Sequence, residues 1–153
     1  MAPDQGPVLG QLNIVSNDLP KSMAFYRLLG VDAPDGNLCQ TASGAHHANG
    51  TIAAGDGVVH VDFDSPRFAT MWNAGWAGRT DLAGRILLNF FVGSRAAVDA
   101  LHDKVTGAGH RALQAPWDAF WGARFAIVED PDGIAVGIMS PISDQHRAPP
   151  PAV

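Results

Sequence analysis

The stretch QLNIVSNDLPKSMAFYRLLG, residues 11–30, decides the fold of this chain. Gln11–Val15 is a short run that predicts a β-strand, and a polar turn over residues 16–18 follows it. From Leu19 the apolar residues recur at helical spacing, with a proline in the first turn where a helix tolerates it. Gly30 is a typical helix terminator. The stretch therefore predicts a strand, a turn and a helix.

The same arrangement returns 76 residues later, counted from Gln11 to Leu87. Residues 87–92 predict a strand, Gly93 and Ser94 a turn, and residues 96–106 a helix with one apolar face. Asn13 and Asn89 occupy equivalent places in the two copies. Because the chain of 153 residues is close to twice this offset, we expect two modules.

Short strand candidates follow each helix, separated by glycine-rich turns. They cover residues 38–43, 48–54 and 58–64 in the first half, and residues 111–114, 123–129 and 134–139 in the second. Each half is therefore a βαβββ unit of an α+β protein. One such half cannot bury both faces of a four-stranded sheet, so the halves must pair. We expect a first module over 9–65, a connector over 66–84, a second module over 85–142 and a disordered tail over 143–153.

Composition and charge exclude several classes of protein. Apolar residues make up 46% of the chain and charged residues 16%, which excludes an intrinsically disordered chain. The net charge is -5, without a basic cluster, so we expect no nucleic-acid partner. No apolar run approaches the roughly 20 residues that span a bilayer, and the first nine residues do not resemble a signal peptide. We therefore expect no membrane partner and a cytoplasmic location.

Three motifs resemble those of the vicinal oxygen chelate superfamily, which contains glyoxalase I, extradiol dioxygenases and bleomycin-resistance proteins. Residues 17–30 are similar to the family's opening "V-x-D-x-x-x-S…F-Y…L-G" pattern, and residues 125–133, FAIVEDPDG, to its closing hairpin. Residues 116–122, PWDAFWG, are similar to a loop of many members. The resemblance covers about residues 9–142. It implies two βαβββ modules that pair into curved mixed sheets around a cleft, with the last loop at the mouth of that cleft.

The resemblance also implies four positions for metal ligands. They fall on Gln11, Asp62, Leu87 and Gly137 in this sequence. Leucine has no donor atom and glycine has no side chain, and catalytic metal sites generally use three or more protein ligands. We therefore expect no metal and no other cofactor. The alternative is a metal-dependent lyase, isomerase or dioxygenase that uses Gln11, His60 and Asp62.

The remaining reactive side chains give weaker indications. His60 and Asp62 share one polar strand face, which is either solvent or a ligand cavity, and in a metal-free enzyme either residue would be a general base. His46 and His47 are consecutive and so cannot chelate together, and we interpret the histidines other than His60 as surface residues. Cys39, the sole cysteine, excludes an internal disulfide, and we expect it to be a small core or cavity residue without a nucleophilic role.

The large aromatic residues fall in two segments outside the predicted core. Trp72 and Trp76 lie in the connector, where a ligand contact and a structural or dimer role are equally open. Trp117, Phe120 and Trp121 precede the seventh predicted strand, where the resemblance favours ligand contact. Aromatic side chains there provide large, rigid surfaces with polar groups, as binding cavities require.

The predicted function is the binding of an aromatic or apolar small molecule in an aromatic-lined cleft of a homodimer, by resemblance to resistance proteins that sequester such compounds. Arg124 could contact an anionic group of the ligand or form a structural salt bridge with Asp118 or Glu129, and we favour the salt bridge. Met139 suits an adaptable pocket lining. The complete set of expected ligand-binding residues is His60, Asp62, Trp72, Trp76, Phe91, Trp117, Phe120, Trp121, Arg124 and Met139.

Overall fold

The strand and helix predicted at residues 11–30 are both present. The computed structural model describes residues 11–72 and 86–149. Strand β1 spans Gln11–Val15 and helix α1 spans Leu19–Leu28. The Asp18 carboxylate accepts the backbone N–H of Lys21 at 3.1 Å, which closes the first turn of α1. This hydrogen bond lowers the pKa of Asp18.

The α+β class is confirmed. The further elements follow the predicted order in the second half, whereas in the first half they include one more strand than predicted and a short helix in the predicted connector. They are β2 (Leu38–Gln40), β3 (His46–Ala48), β4 (Thr51–Ala54), β5 (Gly57–Asp64), α2 (Pro66–Trp72), β6 (Leu87–Phe91), α3 (Arg95–Gly107), β7 (Ala112–Asp118), β8 (Arg124–Glu129) and β9 (Ala135–Met139). The single strand predicted over residues 48–54 is divided at Gly50. A Cβ atom on Gly50 would lie 2.7 Å from the Val61 carbonyl oxygen, so only glycine allows this close approach.

The strands form two mixed sheets with the same internal order. In the first sheet the order is β1-β5-β3-β2, and β4 also pairs with β5. In the second sheet the order is β6-β9-β8-β7. In each sheet the first strand runs parallel to the last, with Asn13 opposite Asp62 and Asn89 opposite Gly137. The predicted equivalence of Asn13 and Asn89 is confirmed.

The described residues divide into two compact units, of which the second also takes in the end of α1. The first contains residues 11–23 and 30–72, and the second contains residues 24–29 and 86–149. In the second unit, α3 packs on β7, β8 and β9. The buried residues of β8 and β9 that alternate on one face are Ala126, Val128, Val136 and Ile138.

Tyr26 forms a buried polar contact inside the second unit. Its hydroxyl donates to the Asp130 carboxylate at 3.0 Å. The same carboxylate accepts the backbone N–H groups of Asp132 and Ile134, both at 2.8 Å, and so stabilises the turn of the predicted D-P-D-G motif. Burial raises the pKa of both Tyr26 and Asp130.

The described part of the predicted disordered tail contains regular structure. Residues Asp144–His146 form a 3-10 helix, and Arg147 forms a bridge with Trp121. The backbone N–H of Ala148 donates to the Phe120 carbonyl at 2.9 Å. These backbone contacts order the segment up to the start of the proline triplet. No helix among the described residues is long and apolar enough to cross a bilayer.

Candidate functional site

Four side chains of the second sheet form one continuous row, which we call the aromatic row: Phe91, Met139, Phe125 and Trp117. Phe91 of β6 lies opposite Met139 of β9, Met139 lies opposite Phe125 of β8, and Phe125 lies opposite Trp117 of β7. Residues directly opposite each other in a sheet point to the same face. Three of the four are predicted site residues. Phe125 was missed, although the closing motif contains it.

Exposure along the row is highest at Phe91 and lowest at Phe125, the third of its four residues. Phe125 is buried, Trp117 and Met139 are half-buried, and Phe91 is 72% exposed. Leu87, four residues before Phe91 on the same face of β6, is 39% exposed. The second sheet therefore presents a partly open apolar surface, which is the kind of surface that marks binding sites.

Trp121, in the loop that precedes β8, packs against two residues of the row. Its ring meets Trp117 at 5.6 Å between centroids, Phe120 at 5.0 Å and Phe125 at 5.4 Å, all in edge-to-face arrangements. Such pairs add about 0.5–1.5 kcal/mol each beyond area burial, so they hold the rings in place. The structure thus brings Trp117, Phe120 and Trp121 together, as their spacing in the sequence predicts.

Trp117 carries a buried donor without a partner. Its indole Nε1 is shielded from solvent, and no described residue accepts a hydrogen bond from it. A buried unsatisfied donor costs about 1–3 kcal/mol, so a ligand with an acceptor atom would gain by meeting it.

Arg124 is engaged by two carboxylates at the edge of this region. Its Nε donates to Asp99 at 3.0 Å and its Nη1 to Asp118 at 3.1 Å. The hydrogen bond that Arg124 donates to Asp99 raises the pKa of Arg124. The predicted pair with Asp118 is present and Asp99 is an additional partner, whereas Glu129 forms an ion pair with Arg111 at 3.7 Å. This geometry is that of a structural cation.

The corresponding face of the first sheet is polar. Gln11 Nε2 donates to Asn13 Oδ1 at 2.8 Å and to Asp62 Oδ2 at 3.3 Å, and Asn49 Nδ2 donates to the same Asp62 oxygen at 3.2 Å. Asn13 Nδ2 donates to Asp64 Oδ2 at 3.0 Å. Residues at positions 62 and 64 share a strand face, which explains this continuous network.

His60 shares that strand face but not the network. It is exposed and lines a cavity of about 230 Å³, together with Asp32, Pro34, Asn37, Asn49, Gly50 and Thr51. No hydrogen bond joins its ring to Asp62 among the described contacts. His60 is therefore exposed to solvent at the wall of this cavity, and its contact with a ligand stays a prediction.

The side chains at the four family ligand positions do not form a conventional metal site. Leu87 offers no donor. At Gly137 a Cβ atom would lie 2.0 Å from Asn89 Oδ1, so the Asn89 amide fills the space of a residue-137 side chain. Gln11 and Asp62 remain, with one buried Asp62 oxygen, Oδ1, lacking a hydrogen-bond partner. Within the described ranges no group of three His, Cys, Asp or Glu residues is arranged to hold a metal.

Several further expectations need correction. Cys39 is exposed and not a core residue, because it lies on the short strand β2 at the end of its sheet. His47 is half-buried and contacts Asp64, and His102 is buried beside Val98 and Val105 on one face of α3. Both were interpreted as surface residues. The side chain of Trp72 and all of Trp76 lie outside the described residues.

Comparisons with known proteins agree with this architecture. The family model of the Glyoxalase/Bleomycin resistance protein/Dioxygenase superfamily matches residues 8–138. A glyoxalase/bleomycin resistance protein/dioxygenase family enzyme from Burkholderia phytofirmans PsJN has 21% identity and a TM-score of 0.70, over 86% of this chain and 97% of its own. No functionally curated protein sequence matches the chain significantly.

Two other solved structures are similar at comparable distance. A glyoxalase/bleomycin resistance protein/dioxygenase from Nocardioides has 18% identity and a TM-score of 0.68, over 99% of this chain and 93% of its own. Lactoylglutathione lyase from Agrobacterium tumefaciens has 16% identity and a TM-score of 0.57, over 92% and 96% of the two chains. At these identities the structures show a shared fold alone. With the family model matched across both modules, the chain belongs to the glyoxalase/bleomycin resistance protein/dioxygenase superfamily.

Proposed function

We propose that this protein binds an aromatic or apolar small molecule on the aromatic row, without a bound metal. The observation that carries the proposal is the uninterrupted line of Phe91, Met139, Phe125 and Trp117 across all four strands of the second sheet. The donor atoms that a metal-dependent relative would need are replaced on the same sheet by Leu87 and Gly137. The surface therefore favours contact with an organic ring over coordination of an ion.

The orphaned Trp117 donor narrows the chemical class of the ligand. An aromatic compound that carries one hydroxyl or carbonyl oxygen would stack on the row and accept the buried N–H. The net gain from such a hydrogen bond is about 0.5–1.5 kcal/mol, and about 1.4 kcal/mol corresponds to a tenfold change in affinity. We therefore expect a few-fold to tenfold preference for the oxygen-bearing ring.

Calorimetric titration with 2-naphthol and with naphthalene tests this proposal. We expect saturable binding of both, with 2-naphthol the tighter of the two. Phe91→Ala should weaken both by about fivefold, because it removes a stacking partner worth roughly 1 kcal/mol. Phe91 is 72% exposed, so this change should leave the fold intact.

Ile142→Ala is the matched control, because Ile142 is 52% exposed and lies outside the row. It should bind both probes as the original chain does. Absence of saturable binding by these and other one-ring and two-ring aromatic compounds would overturn the proposal. An equal loss of affinity for the probes in Phe91→Ala and Ile142→Ala would also overturn it.

Metal content separates this proposal from the metal-dependent alternative. The unpartnered Asp62 Oδ1 is the observation that favours a metal, with Gln11 as its neighbour and His60 further along the strand. Elemental analysis of the purified protein should find no stoichiometric zinc, nickel or iron. A stoichiometric metal that disappears in Asp62→Asn would replace the binding proposal with the enzymatic one.

We also propose that the protein is a homodimer, and we retain the cytoplasmic location as a prediction. Ile86 and Leu87 are large apolar residues that are 45% and 39% exposed next to each other on and before β6. Covering such side chains in a second copy would remove apolar surface from water. Sedimentation velocity should give about twice the chain mass of 16.1 kDa. A single species with the mass of one chain would contradict the dimer.

A further inference from the structure

Residues 143–148, which we call the terminal strap, pair with the loop between β7 and β8. The Ser143 N–H donates to the Gly122 carbonyl oxygen at 3.0 Å, and the Ala148 N–H donates to the Phe120 carbonyl oxygen at 2.9 Å. Between these two contacts the chain turns through a short 3-10 helix. The strap therefore contacts the loop at two points, one on each side of the tryptophan in its middle.

That tryptophan, Trp121, connects the strap to the aromatic row. Its backbone forms an antiparallel bridge with Arg147 of the strap. Its ring packs edge-to-face on Trp117 and Phe125, at 5.6 and 5.4 Å between centroids. The strap therefore fixes the backbone of a residue whose ring contacts two members of the row.

The strap packs closely on the loop but is not anchored in the hydrophobic core. All of its residues except the half-buried Ser143 are exposed. Gly122, in contrast, is buried, and a Cβ atom there would clash with the Ser143 carbonyl oxygen and lie 3.0 Å from Arg147 Cγ. A segment with few buried apolar contacts opens more easily than the sheet beside it. The contacts with the loop are therefore what keeps the strap in place.

We propose that the terminal strap is a positioning element of the ligand site, which fixes the Trp121 ring and through it the aromatic row. This inference rests on the proposed function, because it names what holds the row ready for an aromatic ligand. A side chain that is already immobile loses less conformational entropy when a ligand packs on it. Without the strap, ligand binding must also order the rings. Release of the strap should therefore weaken binding by about three- to tenfold.

Two point variants of the full chain release the strap in different ways. Gly122→Ala places a methyl group against the Ser143 carbonyl oxygen. Ala148→Pro removes the N–H that donates to Phe120, and Arg147, at φ -73° and ψ 143°, already has the conformation that a residue before proline adopts. Calorimetric titration with 2-naphthol measures the affinity, and near-UV circular dichroism reports whether the aromatic rings are held in fixed positions. Both variants should lose near-UV signal and bind 2-naphthol about three- to tenfold more weakly.

Each variant has a matched control. Gly133→Ala adds the same methyl group at a similar backbone conformation, with φ +89° against +97° at Gly122, but meets no atom within 4 Å. Ala148→Ser keeps the backbone N–H. Both controls should retain the near-UV signal and the affinity of the original chain, although Gly133→Ala lowers the free energy of unfolding. A purely structural role of the strap would lower that free energy and leave the affinity unchanged.

The outcomes separate this inference from the proposed function. If the original chain binds neither 2-naphthol nor related aromatic compounds, the proposed function is overturned and the positioning role with it. If the original chain binds and the strap variants that fold bind equally well, the positioning role alone is overturned. It is also overturned if Gly133→Ala weakens binding as much as Gly122→Ala, because backbone strain would then explain the loss. Ala148→Pro provides the test by itself if Gly122→Ala does not fold.

Discussion

Substitution of Gly137 by alanine tests the steric arrangement that separates this chain from a metal-binding relative. An added Cβ would lie 2.0 Å from Asn89 Oδ1 and 2.9 Å from Phe125 Cε2, whereas ordinary contacts begin at 3.4 Å. Asn89 must therefore retreat by 3.4 − 2.0 = 1.4 Å and the Phe125 ring by 3.4 − 2.9 = 0.5 Å. Asn89 is exposed and can rotate, but Phe125 is buried in a packed cluster of rings.

We expect Gly137→Ala to lower the free energy of unfolding by about 2 kcal/mol, within the usual range of about 1–3 kcal/mol for overpacking. In an Asn89→Ala background the larger clash is absent, and the cost should fall to about 1 kcal/mol. The difference of about 1 kcal/mol is the coupling between the two positions. Equilibrium urea unfolding of the four proteins, followed by tryptophan fluorescence, measures it.

Gly107→Ala provides the matched control. Gly107 ends α3 and has no atom within 4 Å of the added Cβ, so alanine there should stabilise by about 0.5–1 kcal/mol. The same cost of Gly137→Ala in both backgrounds would refute the placement of the Asn89 amide over Gly137. A cost below about 0.5 kcal/mol would show that the sheet accommodates the methyl group freely.

The buried contacts of the second unit give three further predictions. Tyr26→Phe removes the hydroxyl that donates to Asp130, and urea unfolding should show a loss of about 1.5–3 kcal/mol. Burial raises the pKa of Asp130. The stabilisation linked to this shift is therefore complete below the unfolded-state pKa of about 3.9 and is lost as the pH rises through the pKa of the folded protein. In Asp130→Asn the free energy of unfolding should change less with pH over that range. Burial lowers the pKa of His110, so stability should fall as the pH drops from about 6.5 through the folded value, and urea midpoints of His110→Gln should lack this fall. If the urea midpoints of Asp130→Asn or His110→Gln change with pH as steeply as those of the original chain, that residue is not the source of the pH dependence.

Most of the fold follows from local sequence. The periodicity of residues 19–29 and 96–106 predicts α1 and α3 because a helix must place apolar residues on one face. The D-P-D-G turn likewise predicts the hairpin of β8 and β9, since its residues favour a tight turn. The division of the strand at Gly50 was missed, because it depends on the Val61 carbonyl of another strand.

The candidate site was only partly predictable. Trp117, Phe120 and Trp121 are close in sequence, so their cluster follows from spacing. The addition of Phe91 and Phe125 to one row depends on strand order and register, which set distant residues opposite each other. Asn89 over Gly137 and His47 beside Asp64 could not be found from spacing, because hydrogen bonds and close contacts across strands leave no local pattern.

The sequence by itself determined the two βαβββ modules, the family and the absence of donor atoms at positions 87 and 137. These properties are carried by residue type and short-range periodicity. Only the tertiary structure decided which side chains meet: the apolar row on the second sheet and the polar network on the first. Sheet register determines which side chains are in contact, since a shift by one residue turns every side chain of a strand to the other face.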